Sequence, residues 1–474
     1  MINFIGFVPD LDPKTRGAII DCNNLCPSEK GFKNIEKLRN LGLPDLEADC
    51  KGSATIIKLD TSTRFFAGTT DKLFELSGGA WNNRSRVGGY TPSSENEWRF
   101  AQFGDATIAT NQVDILQVST NGDFADIADA PRAKYLEVAS GFVMAFHTNS
   151  DSDGWWCSGL YDHTTWIPSQ ATQAANGRFL DSPGEVIGAK KLGQDIVAYK
   201  NKSMFIGRYV GVPIIWSWQQ IPGDVGAVSN EAIIDIDGAH LFMGDEDFYY
   251  YDGTRPISIG APVRKWYVNH SNAEYRYKAK GFYDRFNGLG FWYFPSENSE
   301  NNDTCLIYHI KNKTWGKADR SIDQIVEYHT PGITYDELGD LATTYEDLPD
   351  IGYDSQYWFS HEKTQAVFQG ATVYALDGSP GEMSITTGDF GDDFRFTTVT
   401  QIRPHFLLSP SSGSLQAYYK HHEGDLISLG KSATLTDNKF DILWSSRYHR
   451  FEFSFNGACE IQGINILSKT DGTN

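Results

Sequence analysis

Apolar and polar positions along the chain fall into short runs of about five residues, the ordinary length of a strand. Residues 55–59, 64–68, 195–199, 239–243 and 290–294 alternate or run apolar between Gly, Asn, Asp and Ser. Turn residues at such short intervals break the chain into strands, not helices. Helical periodicity is weak, and the best candidate is a short helix over 263–277.

Aligning the hairpins reveals a repeat. An apolar strand is followed by a polar turn and then by an aromatic-rich strand. The sequence Lys72-Leu73-Phe74-Glu75-Leu76 leads through Gly78-Gly79 to Trp81, and Asp114-Ile115-Leu116-Gln117-Val118 leads through Asn121-Gly122 to Phe124. Similar units are centred near 156, 205, 250, 307 and 374. The early spacings approach the roughly 40–50 residues of a four-stranded propeller blade. A sandwich needs no fixed period, so the spacing favours an all-β β-propeller of about seven blades. The last two gaps are wider and imply inserted loops.

After about residue 395 the pattern changes. Strand candidates at 401–408, 415–420, 450–455 and 461–467 predict an extra C-terminal antiparallel β-region. It forms either a small sandwich or a set of strands that closes the ring against the N-terminus, removing an exposed edge. The expected organisation is an N-terminal arm with a ring-closing strand (1–50) and propeller blades (51–320). An acidic insertion with further blade strands (321–394) and the C-terminal β-region (395–474) follow.

Charge sharpens this picture. The 474 residues carry 61 acidic and 41 basic side chains, a net charge of −20. That argues against a tight phosphate-binding groove or docking on an anionic membrane. Residues 321–394 hold 15 acidic side chains against one basic, Lys363, so most of the excess is local. Two related stretches lie inside it, Thr334-Tyr335-Asp336-Glu337-Leu338 and Thr344-Tyr345-Glu346-Asp347-Leu348. The load of 12 Trp, 23 Tyr and 29 Phe belongs to a chain with a large core.

Catalytic and metal motifs are scarce. No phosphate-cradling loop, zincin motif or nucleophile elbow occurs. Cys22, Cys26 and Cys50 lack a nearby fourth zinc ligand, and Asp151-Ser152-Asp153-Gly154 lacks the rest of a calcium loop. His421-His422 reads as a polar turn. The expectation is a non-enzymatic protein with no metal and no cofactor. Six dispersed cysteines and a start without a basic, apolar leader predict free thiols and synthesis in a reducing cytoplasm. No apolar run is long enough for a membrane anchor.

Several stretches resemble the tail hub, or nozzle, proteins of short-tailed bacteriophages, the packaged-DNA-stabilisation type. They are residues 241–260, Val263-Arg264-Lys265-Trp266, residues 287–295, Leu306-Ile307-Tyr308 with Thr314-Trp315, and residues 446–451. The opening segment, with Gly17, Gly31 and Gly42-Leu43-Pro44, is similar to the family's N-terminal arm. The resemblance implies a homohexameric ring in the virion tail, made in the bacterial host. It would sit below the adaptor ring that joins the portal, beside tail fibre, needle or spike proteins. Double-stranded DNA would be a non-specific passenger, retained and then released at ejection. An acidic conduit fits such a passenger, since it repels the polyanion weakly. On this reading Asp336, Glu337, Asp340, Glu346, Asp347 and Asp350 are the expected lining of the channel or gate. The alternative is a virion propeller that binds or cleaves host-surface glycan.

Overall fold

The computed structural model describes residues 1–93, 97–329 and 363–471. It is all-β apart from the helix Arg264–His270 and a 3₁₀ turn at Arg276–Lys278. The helix expected over 263–277 is thus shorter. It ends at Ser271, whose extended backbone turns the chain out of the helix.

Strands form a seven-bladed β-propeller. Blade 1 is the antiparallel meander Gly52–Ile57, Thr63–Gly68, Leu73–Ser77 and Ala80–Asn83. The next six blades begin with inner strands Arg99–Phe103, Ala133–Ala139, Val186–Leu192, Ile233–Asp235, Lys280–Asp284 and Gln324–His329. Each inner strand packs beside the next, and that of blade 7 packs beside that of blade 1, closing the ring. The hairpin centres near 74, 116, 156, 205, 250, 307 and 374 fall at the third strand of the seven blades in order.

The N-terminal segment completes the last blade. Arg39–Asn40 pairs with Thr372–Ala375, so blade 7 contains both early and late residues. Arg39 also grips Asp377 through two hydrogen bonds of 2.8 and 2.7 Å. The borrowed strand covers the outer edge of the blade's third strand, which would otherwise be open to pairing with another molecule.

The C-terminal β-region is a sandwich, and ring closure belongs to the N-terminal strand instead. Blade 6's outer strand, Thr314–Asp319, continues into Leu25–Pro27, Phe32–Asn34, Glu460–Asp471, Phe396–Leu408 and Phe440–Ser446, making one ten-stranded sheet. A second sheet runs through Gly6–Phe7, Ala18–Asn23, Met383–Thr387, Tyr448–Asn456, Ser412–Lys420 and Ser428–Thr434. The alternating charge and aromatic pattern of 450–455 places Phe451, Phe453 and Phe455 inward against Phe440, Ile402 and Ile464. Inside, the acidic Asp389 is buried between Lys420 (2.7 Å) and Arg450 (2.9 Å).

Sandwich and propeller share a single apolar core. Phe248 of blade 5 meets Tyr267 of the helix and Trp292 and Trp315 of blade 6, each at 5.0 Å between ring centroids. This cluster runs on into the sandwich residues just named. The helix is fixed to the N-terminal arm. Asp10 accepts hydrogen bonds from the amides of Lys265 (2.5 Å) and Trp266 (3.0 Å), satisfying donors that a first helical turn leaves open. All six cysteines are free and buried, acting as small apolar side chains.

Candidate functional site

The inner strands of all seven blades start at one end of the propeller, and a cavity of about 650 Å³ opens there. Polar residues at or just before these strands line it, among them Lys51, Glu97, Arg99, Lys134, Glu185, Glu231, Lys280 and Gln324. A first strand in a propeller faces the axis with alternate side chains, so charged groups at its start converge on the mouth.

These groups are bonded across the axis. Arg99 of blade 2 donates from Nε to Glu231 Oε1, at the entry to blade 5, over 2.6 Å. Lys280 of blade 6, 5 % exposed, places Nζ 2.9 Å from both oxygens of Glu97. Gln324 of blade 7 donates to Glu97 Oε1 at 3.1 Å. Ser229 Oγ donates to Glu231 Oε2 at 3.1 Å. The Arg99 guanidinium lies 4.8 Å above the Tyr135 ring of blade 3.

Electrostatics follows from this pairing. Burial pushes the Glu231 carboxyl up, but the charges of Arg99 and then Lys280 outweigh it and hold the group well below the usual carboxylate range. Lys134 differs. Burial and then the charge of Arg99 push its ammonium below the ordinary lysine value, with Glu185 opposing. Lys134 lines the cavity with its ammonium over the Tyr135 ring, 5.7 Å from the centroid. The paired groups act as struts. A buried pair loses several kcal/mol if one partner is removed, so these bonds hold blades 2, 5, 6 and 7 in fixed register.

The expected channel residues Asp336, Glu337, Asp340, Glu346, Asp347 and Asp350 lie outside the described residues. The strands that bracket them are Gln324–His329 and Lys363–Gln369, the first two strands of blade 7, paired His329 to Lys363. The acidic insertion therefore replaces the hairpin that joins the first two strands in every other blade. Three of the described acidic residues of 321–394 do structural work. Asp377 holds Arg39, Asp389 is the buried centre of an ion triad, and Asp323 accepts from the Gly370 amide at 2.6 Å.

No motif announces the mouth. Its signal is positional: once the hairpins are aligned, a charged residue recurs about 19–27 residues before each of the first six hairpin centres, at the start of the blade. Among the described residues, no three His, Cys, Asp or Glu side chains are grouped to hold a metal ion, and no helix is long and apolar enough to cross a membrane.

Fold and site together define a seven-bladed propeller fused through a common sheet to a β-sandwich, with an ion-paired mouth. No protein-family model matches the chain, and no curated protein matches it by sequence. Among solved structures it is similar to PorZ, an essential bacterial surface component of the type-IX secretion system of Porphyromonas gingivalis. That likeness has 12% identity and a TM-score of 0.33, over 74% of this chain and 51% of that one. The chain thus spans about half the length of PorZ.

Proposed function

We propose that the protein is a structural subunit of a short-tailed phage tail hub, forming a ring that retains packaged DNA and conducts it at ejection. The observation that carries this reading is the junction between propeller and sandwich. Stretches that resemble the hub family (241–260, 263–266, 287–295, 306–308 with 314–315, and 446–451) are spread along the sequence. Yet Leu241, Phe248, Trp292, Trp315 and Phe451 meet in one core at that junction. A shared sheet and core make the two lobes one stiff block, which suits a ring that must hold shape against packaged DNA.

The mouth constrains the route of the DNA. A duplex whose major groove alone is about 12 Å wide cannot thread a propeller axis crossed by the 2.6 Å Arg99–Glu231 bond. In the ring the conduit therefore runs between copies and not through each propeller. Partners on this reading are further copies of the chain, the adaptor ring, and fibre, needle or spike proteins. Particles assembled without this protein should fill with DNA and then lose it, and supplying the purified protein should restore retention. Particles that keep their genome without it would overturn the proposal.

A further inference from the structure

We propose that copies of this chain join head to tail, the outer edge of blade 4 in one copy pairing with the free edge of the sandwich in the next. The choice of a second copy as the occupant rests on the hub reading, which needs a repeated contact between copies. Most outer edges of the propeller are short or closed. The outer strands of blades 1, 2, 3 and 5 are Ala80–Asn83, Ala125–Asp126, Ala175–Arg178 and Ile257–Ser258, only two to four residues each. Blade 6 continues into the ten-stranded sheet, and blade 7 ends on the short strand Arg39–Asn40. Blade 4 ends instead on Ile215–Ile221, seven residues that pair on one side only, with Met204–Gly211. This strand holds no charged residue and no proline, the devices that commonly keep an open edge from pairing. The hairpin that leads into it ends in Val210, Val212 and Ile214, each more than half exposed. Clustered exposed apolar side chains mark a contact surface.

The matching edge is the sandwich strand Ser428–Thr434. It is also seven residues long, ends its sheet and pairs only with Ser412–Lys420. Its one charge, Lys431, lies over the Trp444 ring. Leu426 and Leu429 are more than half exposed beside it, and Ile427 is exposed as well. The other sandwich edge, Phe440–Ser446, carries the exposed Asp441. Two strands of equal length can align in two directions. Parallel alignment sets Ile215 beside Ser428 and brings the apolar tip at 210–214 against Leu426 and Ile427. Antiparallel alignment sets the same tip beside the polar turn at 436–439, so apolar matching selects the parallel arrangement. Strand addition of this kind draws affinity from main-chain hydrogen bonds and register from the side chains. A contact between two different surfaces of one chain can repeat and close into a ring, whereas an edge that pairs with its own copy stops at a dimer.

In this register Gln219 and Ser432 are neighbours across the contact, and both are exposed. All six native cysteines are buried, so a purified Gln219→Cys/Ser432→Cys chain presents one reactive pair. Mild oxidation should give a ladder of covalent dimers, trimers and larger species on a non-reducing gel, and neither single variant should give one. Val212→Lys and Leu429→Lys should each weaken self-association of the purified chain at least tenfold in sedimentation analysis. Phe286→Lys, at an exposed residue of the blade 6 hairpin outside both edges, should not. An unchanged melting temperature shows that each variant is folded. Absence of the ladder, a covalent dimer from Gln219→Cys alone, or self-association unaltered by Val212→Lys would each overturn the proposal. Genome retention is read separately in particles. Particles that lose DNA without the protein, together with no ladder, would sink this contact and leave the hub reading standing; a ladder with full retention would do the reverse.

Discussion

Replacing Glu75 with alanine should destabilise the propeller sharply, because Glu75 is the counter-charge of a buried arginine at the seam of blades 1 and 2. Arg64 and Glu75 have side chains only 8 % and 10 % exposed. Glu75 accepts from Arg64 Nε at 2.6 Å and Nη2 at 3.0 Å, and from Arg84 Nε at 2.9 Å. Arg64 reaches on into blade 2, donating to Ser119 Oγ at 3.0 Å and the Gly122 carbonyl at 3.3 Å, and it covers the Phe66 ring at 4.5 Å. Removing one partner of such a pair strands a charge and costs about 3–5 kcal/mol. Unfolding entropy of about 2.1 cal/mol/K per residue gives about 1 kcal/mol/K for 474 residues. The melting temperature should therefore fall by about 3–5 °C in a calorimetric scan. A paired Arg64→Met/Glu75→Leu variant removes both charges and should recover most of that loss. The pH dependence follows from the same geometry. Burial raises the Glu75 carboxyl, but Arg64 and Arg84 outweigh it and leave the group below its ordinary value. Its contribution is complete above the unfolded value of about 4.3 and disappears as pH falls through the lower folded value. A Glu75→Ala melting temperature within about 1 °C of wild type, or a double variant no better than the single one, would show that the Arg64–Glu75 pair does not hold this seam.

Other consequences concern the blade interior and the helix cap. His240 is fully buried; its Nε2 donates to the Lys191 carbonyl (2.9 Å) and its Nδ1 lies 2.7 Å from the Tyr199 hydroxyl. Burial pushes its protonation below the ordinary value. Stability should be full above about pH 6.5 and decline as pH falls toward the folded value, and His240→Gln should flatten that slope in urea titrations at pH 5 to 7. Asp10→Ala should cost about 1 kcal/mol, because two amides of the helix Arg264–His270 lose their acceptor. Hydrogen exchange at Lys265 and Trp266 should rise in that variant, while exchange in blade 1 should not change.

Much of the propeller was legible in the sequence because its physics is local. Each blade's third strand is apolar and is followed by a turn, so residues 72–76 or 248–251 stand out by composition alone. The wide gap between the sixth and seventh centres also reads correctly as an insertion. What stayed hidden depends on pairing across long separations. A ring-closing strand was expected within residues 1–50, but nothing in Arg39-Asn40 marks these two residues as that strand or Thr372–Ala375 as its partner, and the choice between sandwich and ring closure for the C-terminal region stayed open for the same reason. The mouth was missed because its members, Glu97, Arg99, Glu231 and Lys280, share no motif and meet only when the ring closes. Charge was partly misleading. A run of acidic residues reads as one solvated insertion, yet Asp377 and Asp389 sit in specific ion pairs.

On the proposed hub reading, six copies of this chain form a ring at the tail vertex of a virion. Reconstruction of intact particles by electron microscopy, with the chain carrying a fused density marker, measures that directly. Six markers should surround the tail axis, with a conduit between the propellers and no DNA density along any propeller's own axis. Markers absent from the tail, or a single unpaired copy per particle, would contradict it.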